Sequence, residues 1–198
     1  MPQVWLFTGS SRGLGKAFAE AALESGFQVA ATARNIEDLE ELKDKYGDLV
    51  LPLSLDVTSE TQACEAVKAT IRTFGKLDVL VNNAGYGNVA PIEDTTLEDF
   101  RAQIETNLFG VIILTKAVLP YFRERGSGHI IQVTSIAGRI GPIGRAPYAA
   151  ANFRNAGERS WTPRRQGDHR RTRWFPDGLR RVVNRIAGRT SRIRFDRG

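Results

Sequence analysis

A glycine-rich loop lies at the start of the chain, where residues 8–15 read Thr-Gly-Ser-Ser-Arg-Gly-Leu-Gly after a short apolar run. Glycines at this spacing let the backbone pass close to a bound phosphate. A helix that begins there directs its free N–H groups and its positive dipole end at the anion. The alternative is a glycine-rich turn that binds no ligand. The residues predicted to form a diphosphate site are Thr8, Gly9, Ser11, Arg12, Gly13, Leu14 and Gly15.

Polar residues and glycines also follow the later apolar runs. Asp56 and Val57 come after the third run, Asn82–Gly85 after the fourth and Ser135 after the fifth. Open parallel sheets bind ligands at the carboxyl ends of their strands, so these positions indicate one shared site. Alternatively, the asparagines only stabilise a turn, and Asp56 only caps the helix that follows it.

Alternating strands and helices position these residues up to about residue 135. Apolar runs predict strands over Val4–Thr8, Gln28–Ala33, Val50–Leu55, Val79–Asn82 and His129–Thr134. Amphipathic segments and cap residues predict helices over Lys16–Ser25, Ile36–Tyr46, Thr58–Phe74 and roughly Glu98–Arg125. This alternation implies right-handed crossovers. The predicted fold class is α/β, a doubly wound parallel sheet of the Rossmann type with helices on both faces.

In their order and spacing, these residues resemble the short-chain dehydrogenase/reductase family over about residues 1–151. The matching set comprises the loop Thr8–Gly15, Asp56, Asn82–Gly85, Asn107, Ser135 and Tyr148, which lies thirteen residues after the serine. The resemblance implies a nicotinamide cofactor whose diphosphate the glycine loop holds.

The resemblance also implies roles for the residues after the third and fourth strands. Asp56 and Val57 would lie against the adenine. Asn82–Gly85, of which Asn83, Ala84 and Gly85 are predicted to bind the cofactor, would form the floor beneath the adenosine ribose, while Asn82 and Asn83 would also tie strands together.

The reaction implied by the resemblance is hydride transfer to or from a small carbonyl or alcohol substrate. Tyr148 would be the general acid or base, Ser135 would orient and polarise the carbonyl, and Asn107 would hold a proton-relay water. A phenol ionises near pH 10, so a positive neighbour must stabilise the phenolate at neutral pH. The family supplies a lysine four residues after the tyrosine, where this chain has Asn152.

The missing lysine predicts impaired catalysis. A unit charge about 4 Å away is worth about 4 kcal/mol at an effective dielectric constant of about 20. We therefore expect a rate loss on the order of 10²–10⁴, the range that general acid–base catalysis contributes.

The charge at the end of the second strand favours NADP(H) over NAD(H). Dehydrogenases that prefer NAD place an acid there for the ribose 2′-hydroxyl, whereas residues 32–35 of this chain read Thr-Ala-Arg-Asn. Arg34 and the loop residue Arg12 provide two guanidinium groups, which form forked, charge-assisted hydrogen bonds to phosphate oxygens. The alternative is that both arginines are solvated surface charges.

The composition changes after residue 151. Residues 1–150 hold 14 basic and 18 acidic residues, a net charge of −4, whereas residues 151–198 hold 14 arginines, no lysine and 4 acids, a net charge of +10. We predict an NADP-binding domain over residues 1–151 and a disordered Arg-rich tail over residues 152–198.

A frameshift at or just before codon 152 is a hypothesis that explains this composition. Residues 167–178, read one nucleotide later, permit an apolar strand and a Pro-Gly turn that resemble the family's sixth strand. Under this hypothesis the helix after Tyr148 and the sixth and seventh strands are missing. The homo-oligomer that the family resemblance implies would then lose its usual interface.

Two other functions stay open. The chain could be a pseudoenzyme that binds NADP(H) without turnover. The Arg-rich tail, with Trp161, Trp174 and Phe175, could bind nucleic acid through phosphate contacts and base stacking, although we expect no such partner. Gly138–Pro147, with Ile140, Pro142 and Ile143, is expected to form an apolar wall of the substrate pocket.

The remaining features predict a cytoplasmic protein. The single cysteine, Cys64, cannot form an internal disulfide and is expected to pack on its helix. The N-terminus has no signal-peptide pattern, and apolar runs such as Val111–Leu114 are far shorter than a membrane span. No metal is expected, because His129 has no Cys, Asp or His partner at ligand spacing.

Overall fold

The computed structural model describes residues 2–155, and in them strands and helices alternate as predicted. The strands are β1 (Val4–Phe7), β2 (Gln28–Ala33), β3 (Val50–Ser54), β4 (Val79–Asn82) and β5 (His129–Gln132). The helices are α1 (Gly13–Glu24), α2 (Glu40–Tyr46), α3 (Glu60–Phe74), α4 (Leu97–Ile104), α5 (Gly110–Arg125), α6 (Ala137–Ile140) and α7 (Ala146–Asn155). Short 3-10 turns, Ile36–Leu39 and Gly47–Leu49, flank α2, and a π-helical turn, Glu105–Phe109, joins α4 to α5.

The five strands of the described residues pair in parallel, in the order β3-β2-β1-β4-β5. The central strand is β1, where Trp5 lies opposite Val29 of β2 on one side and Val79 of β4 on the other. The carboxyl ends of β1 and β4 therefore flank the point at which the strand order reverses. Open α/β sheets bind ligands at this point. The predicted fold class, a doubly wound sheet of the Rossmann type, is confirmed.

Apolar side chains cover both faces of the sheet. Successive residues of a strand point to opposite faces, so β1 contributes Trp5 and Phe7 to one core cluster and Leu6 to the other. The first cluster includes residues of α1 and α2, and the second includes residues of α3 and α5. Each large side chain buried in this way contributes about 1.5–3 kcal/mol of hydrophobic stabilisation.

Several boundaries and one packing prediction differ from the sequence-based expectation. Helix α3 begins after Ser59, whose Oγ accepts a hydrogen bond from the Gln62 N–H at 3.3 Å. The helix predicted over Ile36–Tyr46 is split, because a 3-10 turn precedes α2. Cys64 is exposed on α3, so the expectation that it packs was wrong.

Helix α7 contains the domain boundary predicted at residue 151. It begins at Ala146, includes Tyr148 and ends at Asn155. The helix after Tyr148, which the frameshift hypothesis expected to be missing, is therefore present as far as Asn155. The predictions for the Arg-rich tail beyond that residue, and for the sixth and seventh strands, lie outside the described residues.

One helical region among residues 2–155, Leu97–Arg125, is long and apolar enough to cross a membrane, with a mean hydropathy of 1.3. In the fold, Leu114, Val118 and Phe122 of this region are completely buried in the core cluster that contains Leu80 of β4. A core helix of an α/β domain has these properties.

Candidate active site

The glycine loop connects β1 to α1 and adopts a conformation that requires glycine. Gly9 and Gly13 have φ values of +69° and +56°, in the left-handed region. A Cβ atom on Gly13 would meet nothing within 4 Å, whereas one on Gly15 would overlap the Gly9 carbonyl oxygen and Asn83 Nδ2. No side chain caps α1 at Arg12. The first N–H groups of α1 therefore have no side-chain cap, and the space beside Gly13 is open, which is the arrangement that suits a bound anion.

Hydrogen bonds tie the glycine loop to the end of β4. The Thr8 Oγ1 atom accepts hydrogen bonds from the N–H groups of Asn83 and Ala84 at 2.9 and 3.0 Å. Asn83 Nδ2 donates to the carbonyl oxygens of Thr8 and Gly9 at 3.1 and 3.0 Å. Asn82 Nδ2 donates to Thr115 Oγ1 of α5 at 3.3 Å. Asn83 thus ties the end of β4 to the loop after β1 and fixes the floor of that loop, whereas the Asn82 side chain, which was also expected to tie strands together, contacts helix α5.

Two arginines come together in an open cleft of about 530 Å³, which we call the arginine cleft. It is lined by Ser11, Arg12, Arg34, Asn35 and Asp38. Arg12 follows β1 and Arg34 follows β2, and both are exposed. The fold thus places the two predicted guanidinium groups at one site. Sequence reasoning missed Asp38, although an acid four residues after Arg34 is visible in the sequence, and this carboxylate makes the cleft less positive.

Asp56 and Val57 are held in place by protein contacts. Asp56 Oδ1 accepts hydrogen bonds from the N–H and the Oγ1–H of Thr58 at 2.9 and 2.7 Å. Asp56 thus holds Thr58 in the turn before α3, whereas the helix itself is capped by Ser59 and not by Asp56. Val57 is buried, and a Cβ atom on Gly110 would lie 2.7 Å from Val57 Cγ2. A ligand here would therefore contact the Val57 backbone rather than its side chain.

A second cleft, of about 310 Å³, contains the predicted catalytic residues, and we call it the tyrosine cleft. Its lining residues that were predicted from the sequence are Leu14, Asn83, Ala84, Gly85, Asn107, Tyr148 and Asn152. Its other lining residues are Tyr86, Gly87, Val111, Val133, Thr134 and Arg145. The residues that line the cleft include members of the glycine loop, of the segment after β4 and of the first turns of α7. Ser135 does not line it but lies beside Thr134, which does.

Asn107 fixes the loop after β4. Its Oδ1 atom accepts a hydrogen bond from the Tyr86 N–H at 3.0 Å, and its Nδ2 atom donates to the Tyr86 carbonyl oxygen at 2.6 Å. Asn107 lies in the π-helical turn between α4 and α5, a distortion that is frequent at functional sites. These two hydrogen bonds to the Tyr86 backbone do not test the relay water expected at Asn107, which stays a prediction.

The Asn152 side chain forms hydrogen bonds with the backbones of the two predicted catalytic residues, Tyr148 and Ser135. Its Nδ2 atom donates to the Tyr148 carbonyl oxygen at 2.9 Å, and its Oδ1 atom accepts from the Ser135 N–H at 3.1 Å. Ser135 Oγ in turn accepts from the Ala137 N–H at 3.2 Å. Asn152 is only 7% exposed. At the position of the family's lysine, the chain thus has a buried, neutral, hydrogen-bonded amide.

The wall contributed by residues 138–147 differs from the expected apolar surface. Ile140 and Ile143 are exposed, at 67% and 100% of their surface, and do not line the tyrosine cleft. The lining residue from this segment is Arg145, three residues before Tyr148. Sequence reasoning missed it, and its spacing from Tyr148 on α7 is the signal that could have found it.

Sequence comparisons identify one protein family and several known proteins that are similar to this chain. The sequence profile of the short chain dehydrogenases matches residues 3–157. Oxidoreductase BOA17 of Botryotinia fuckeliana is 51% identical over 154 residues, which cover 77% of this chain and 56% of that protein. The NADP-dependent 3-hydroxy acid dehydrogenase YdfG of Salmonella typhi is 39% identical over 152 residues, which cover 76% and 59%.

A solved structure supports the same grouping. A short-chain dehydrogenase from Streptomyces avermitilis matches with a TM-score of 0.73 at 40% identity, covering 77% of this chain and 56% of that one. The chain therefore spans less than two thirds of the length of the relatives that it matches. The sequence profile matches residues 3–157, the fold agrees with it over the residues that the structure describes, and the chain belongs to the short chain dehydrogenase family of oxidoreductases, which use a nicotinamide cofactor.

Proposed function

We propose that this chain is an NADP(H)-dependent oxidoreductase that acts on a small carbonyl or alcohol substrate, and that Asn152 impairs its turnover. One observation carries the proposal: Tyr148 lines the same cleft as Leu14 of the glycine loop and Asn83–Gly85 after β4. A proton-exchanging hydroxyl and the predicted cofactor floor therefore share one space. The similarity to an NADP-dependent relative supports the choice of cofactor.

The residues fit a dinucleotide that extends from one cleft to the other. The open space at Gly13 and the N-terminus of α1 suit a diphosphate. The arginine cleft suits a ribose 2′-phosphate, because its two guanidinium groups outnumber the single carboxylate of Asp38. The tyrosine cleft would hold the nicotinamide, which supplies or accepts the hydride when bound.

The protein's own groups would handle the proton and the substrate oxygen. Tyr148 would exchange a proton with that oxygen. Ser135 can donate its hydroxyl hydrogen to the same oxygen while its Oγ atom accepts from the Ala137 N–H. Asn107 would act indirectly, as a positioning residue, because it holds the Tyr86 backbone at the wall of the tyrosine cleft.

Asn152 holds the backbones of Tyr148 and Ser135 but provides no charge. Its hydrogen bonds to Tyr148 and Ser135 connect the first turns of α7 to the segment after β5. A neutral amide cannot stabilise a phenolate as a lysine ammonium does. We therefore expect a correctly assembled site with slow chemistry.

The cofactor proposal is tested by titrating the full chain with NADPH and with NADH while following nicotinamide fluorescence. We expect tighter binding of NADPH. Substitution Arg34→Gln should weaken NADPH binding about 10- to 100-fold and leave NADH binding unchanged, because only NADPH carries the 2′-phosphate. Arg72→Gln, an exposed arginine of α3 outside both clefts, serves as the control. Equal affinity for the two nucleotides would refute the NADP(H) preference.

A second candidate function is a binding-only protein that takes up NADP(H) without turnover. The observation that supports this candidate is that Asn152 is buried and hydrogen-bonded and carries no charge. Stopped-flow absorbance with a panel of ketones and aldehydes separates the two. NADPH binding without any single-turnover oxidation of the nucleotide would identify the binding-only protein.

The proposal also covers the location of the protein and its macromolecular partners. We propose a cytoplasmic protein that forms no complex with nucleic acid or membranes, and a homo-oligomer only if the chain retains its family's interface. Salt-sensitive RNA binding that disappears when residues 153–198 are deleted would instead support the nucleic-acid alternative.

A further inference from the structure

The tyrosine cleft contains a cation that the proposed chemistry does not use. Among the described residues that line it, Arg145 is the only one with a charged side chain. The remaining lining residues are neutral polar or apolar, and no carboxylate is among them. An anionic group that entered this cleft would therefore meet one guanidinium and no opposing acid.

The backbone around Arg145 is fixed on both sides. The Gly144 carbonyl oxygen accepts a hydrogen bond from the Ala90 N–H at 3.0 Å, which joins this loop to the loop after β4. The Arg145 carbonyl oxygen accepts from the Ala149 N–H at 2.8 Å, in the first turn of α7. The arginine is thus presented from a rigid position, which lowers the entropic cost of holding a ligand.

The guanidinium has no ion-pair partner within residues 2–155, where no carboxylate lies within 4.0 Å of it. Arg145 is half-buried. Residues three apart on a helical turn lie on the same face, and both Arg145 and Tyr148 line the cleft. A substrate whose reacting oxygen meets Tyr148 can therefore present an anionic group to Arg145.

We propose that Arg145 binds a carboxylate of the substrate, so that the enzyme acts on short oxo acids or hydroxy acids. The planar fork of a guanidinium matches the two oxygens of a carboxylate and binds them through charge-assisted hydrogen bonds. This inference rests on the proposed function, because it names the substrate class of the same site.

A phosphate of the cofactor is the other source of an anion. The arginine cleft and the N-terminus of α1 already provide cationic or donor groups for the cofactor phosphates, and both lie at the glycine-loop end. Arg145 lines the tyrosine cleft and lies three residues before Tyr148, on a different segment of the chain from the glycine loop. The experiment distinguishes the two sources by measuring cofactor and substrate binding separately.

The probes are acetoacetate and its methyl ester, which share the ketone and differ in the negative charge. Each is titrated calorimetrically into the full chain saturated with NADP⁺, a complex that cannot turn over. We expect the wild-type chain to bind acetoacetate at least about 10-fold more tightly than the ester. Arg145→Gln should abolish this preference, and Arg145→Lys should retain part of it. Arg139→Gln, an exposed arginine of α6 outside the cleft, should keep the preference in full.

The outcomes separate this inference from the proposed function. If the wild-type chain binds no NADPH, the proposed function fails and the inference fails with it. If NADPH binds but acetoacetate and its ester bind equally, only the inference fails. A loss of NADPH affinity in Arg145→Gln would assign the arginine to the cofactor instead. Circular dichroism of each variant verifies that it is folded.

Discussion

At the scale of single residues, the unusual feature is a neutral amide where a charged side chain is expected. Asn152 is buried and hydrogen-bonded to both Tyr148 and the Ser135 backbone. These contacts make it a positioning residue. A lysine at this position could not form the contact with Ser135, because a lysine has no acceptor atom for the Ser135 N–H.

Asn152→Lys should raise turnover by a factor on the order of 10²–10⁴, since it supplies the charge that general acid–base catalysis by a phenol requires. It should also cost about 1–3 kcal/mol of unfolding free energy, because the Ser135 N–H loses its acceptor. Single-turnover oxidation of NADPH and urea unfolding measure the two effects.

The control for this variant is Asn152→Met, which loses the same hydrogen bonds and has a similar length but carries no charge. It should show the stability loss without the gain in rate. An equal rate gain in both variants would contradict the electrostatic explanation. No gain in either variant, with NADPH binding retained, would favour the binding-only protein.

At the scale of elements, the site depends on the junction between the glycine loop and β4. The Thr8 hydroxyl accepts hydrogen bonds from two successive backbone N–H groups, those of Asn83 and Ala84. Thr8 itself is only 1% exposed. The loop that would hold a diphosphate and the floor of the tyrosine cleft are therefore joined through one side chain.

Thr8→Val should destabilise the fold by about 2–4 kcal/mol, because it leaves two backbone N–H groups without their acceptor. Thr8→Ser keeps the hydroxyl and should lose much less. The midpoint of urea unfolding measures both. A Thr8→Val protein as stable as the wild type would show that the junction contributes little.

The elements were largely predictable from the sequence, and the contacts between loops were not. Strands β2 and β4 were predicted with their observed ends, since they are runs of buried apolar residues bounded by turns. The site residues at strand ends followed from the same pattern. The spacing of Arg145 from Tyr148 is visible in the sequence, but the approach of its loop to the loop after β4, through the Gly144–Ala90 hydrogen bond, is not. Asp38 follows Arg34 by four residues, but its place in the arginine cleft depends on the 3-10 turn in which it lies after β2.

At the scale of the whole molecule, a charged cluster closes the end of the sheet opposite the site. Asp78 accepts a hydrogen bond from the Val4 N–H at 2.8 Å and pairs with Lys76 and Arg125 at 3.0 and 2.7 Å. Burial by itself raises the pKa of Asp78, but these hydrogen bonds outweigh it and lower the pKa below its ordinary value. Its contribution to stability is therefore present at neutral pH and is lost in acid, below about pH 4.

His129, at the start of β5, should make stability depend on pH in a higher range. Burial lowers the pKa of His129, and the nearby Asp78 carboxylate only partly opposes this. The unfolded chain then binds the proton more readily, so stability is full above about pH 6.5 and falls as the pH drops below it. Melting temperatures between pH 7.5 and 5.5 should decline in the wild type and decline less in His129→Gln. Parallel curves would exclude this role.

The frameshift hypothesis concerns the chain as a whole, and sequencing of the gene tests it. Sequencing codons 145–198 from an independent source should reveal one inserted or missing base that restores a lysine at position 152. An unchanged reading frame would make the Arg-rich tail a genuine part of the protein. NADPH and RNA binding would then become the informative assays.

The central place of β1 in the sheet has a consequence for how the chain folds during synthesis. Trp5 pairs with Val29 on one side but with Val79, seventy-four positions later, on the other. The entropic cost of closing so long a loop must be met before that pairing is formed. A nascent chain therefore exposes one edge of its first strand until β4 has left the ribosome. During this interval the apolar amino-terminal segment is open to chaperones and to pairing with other chains.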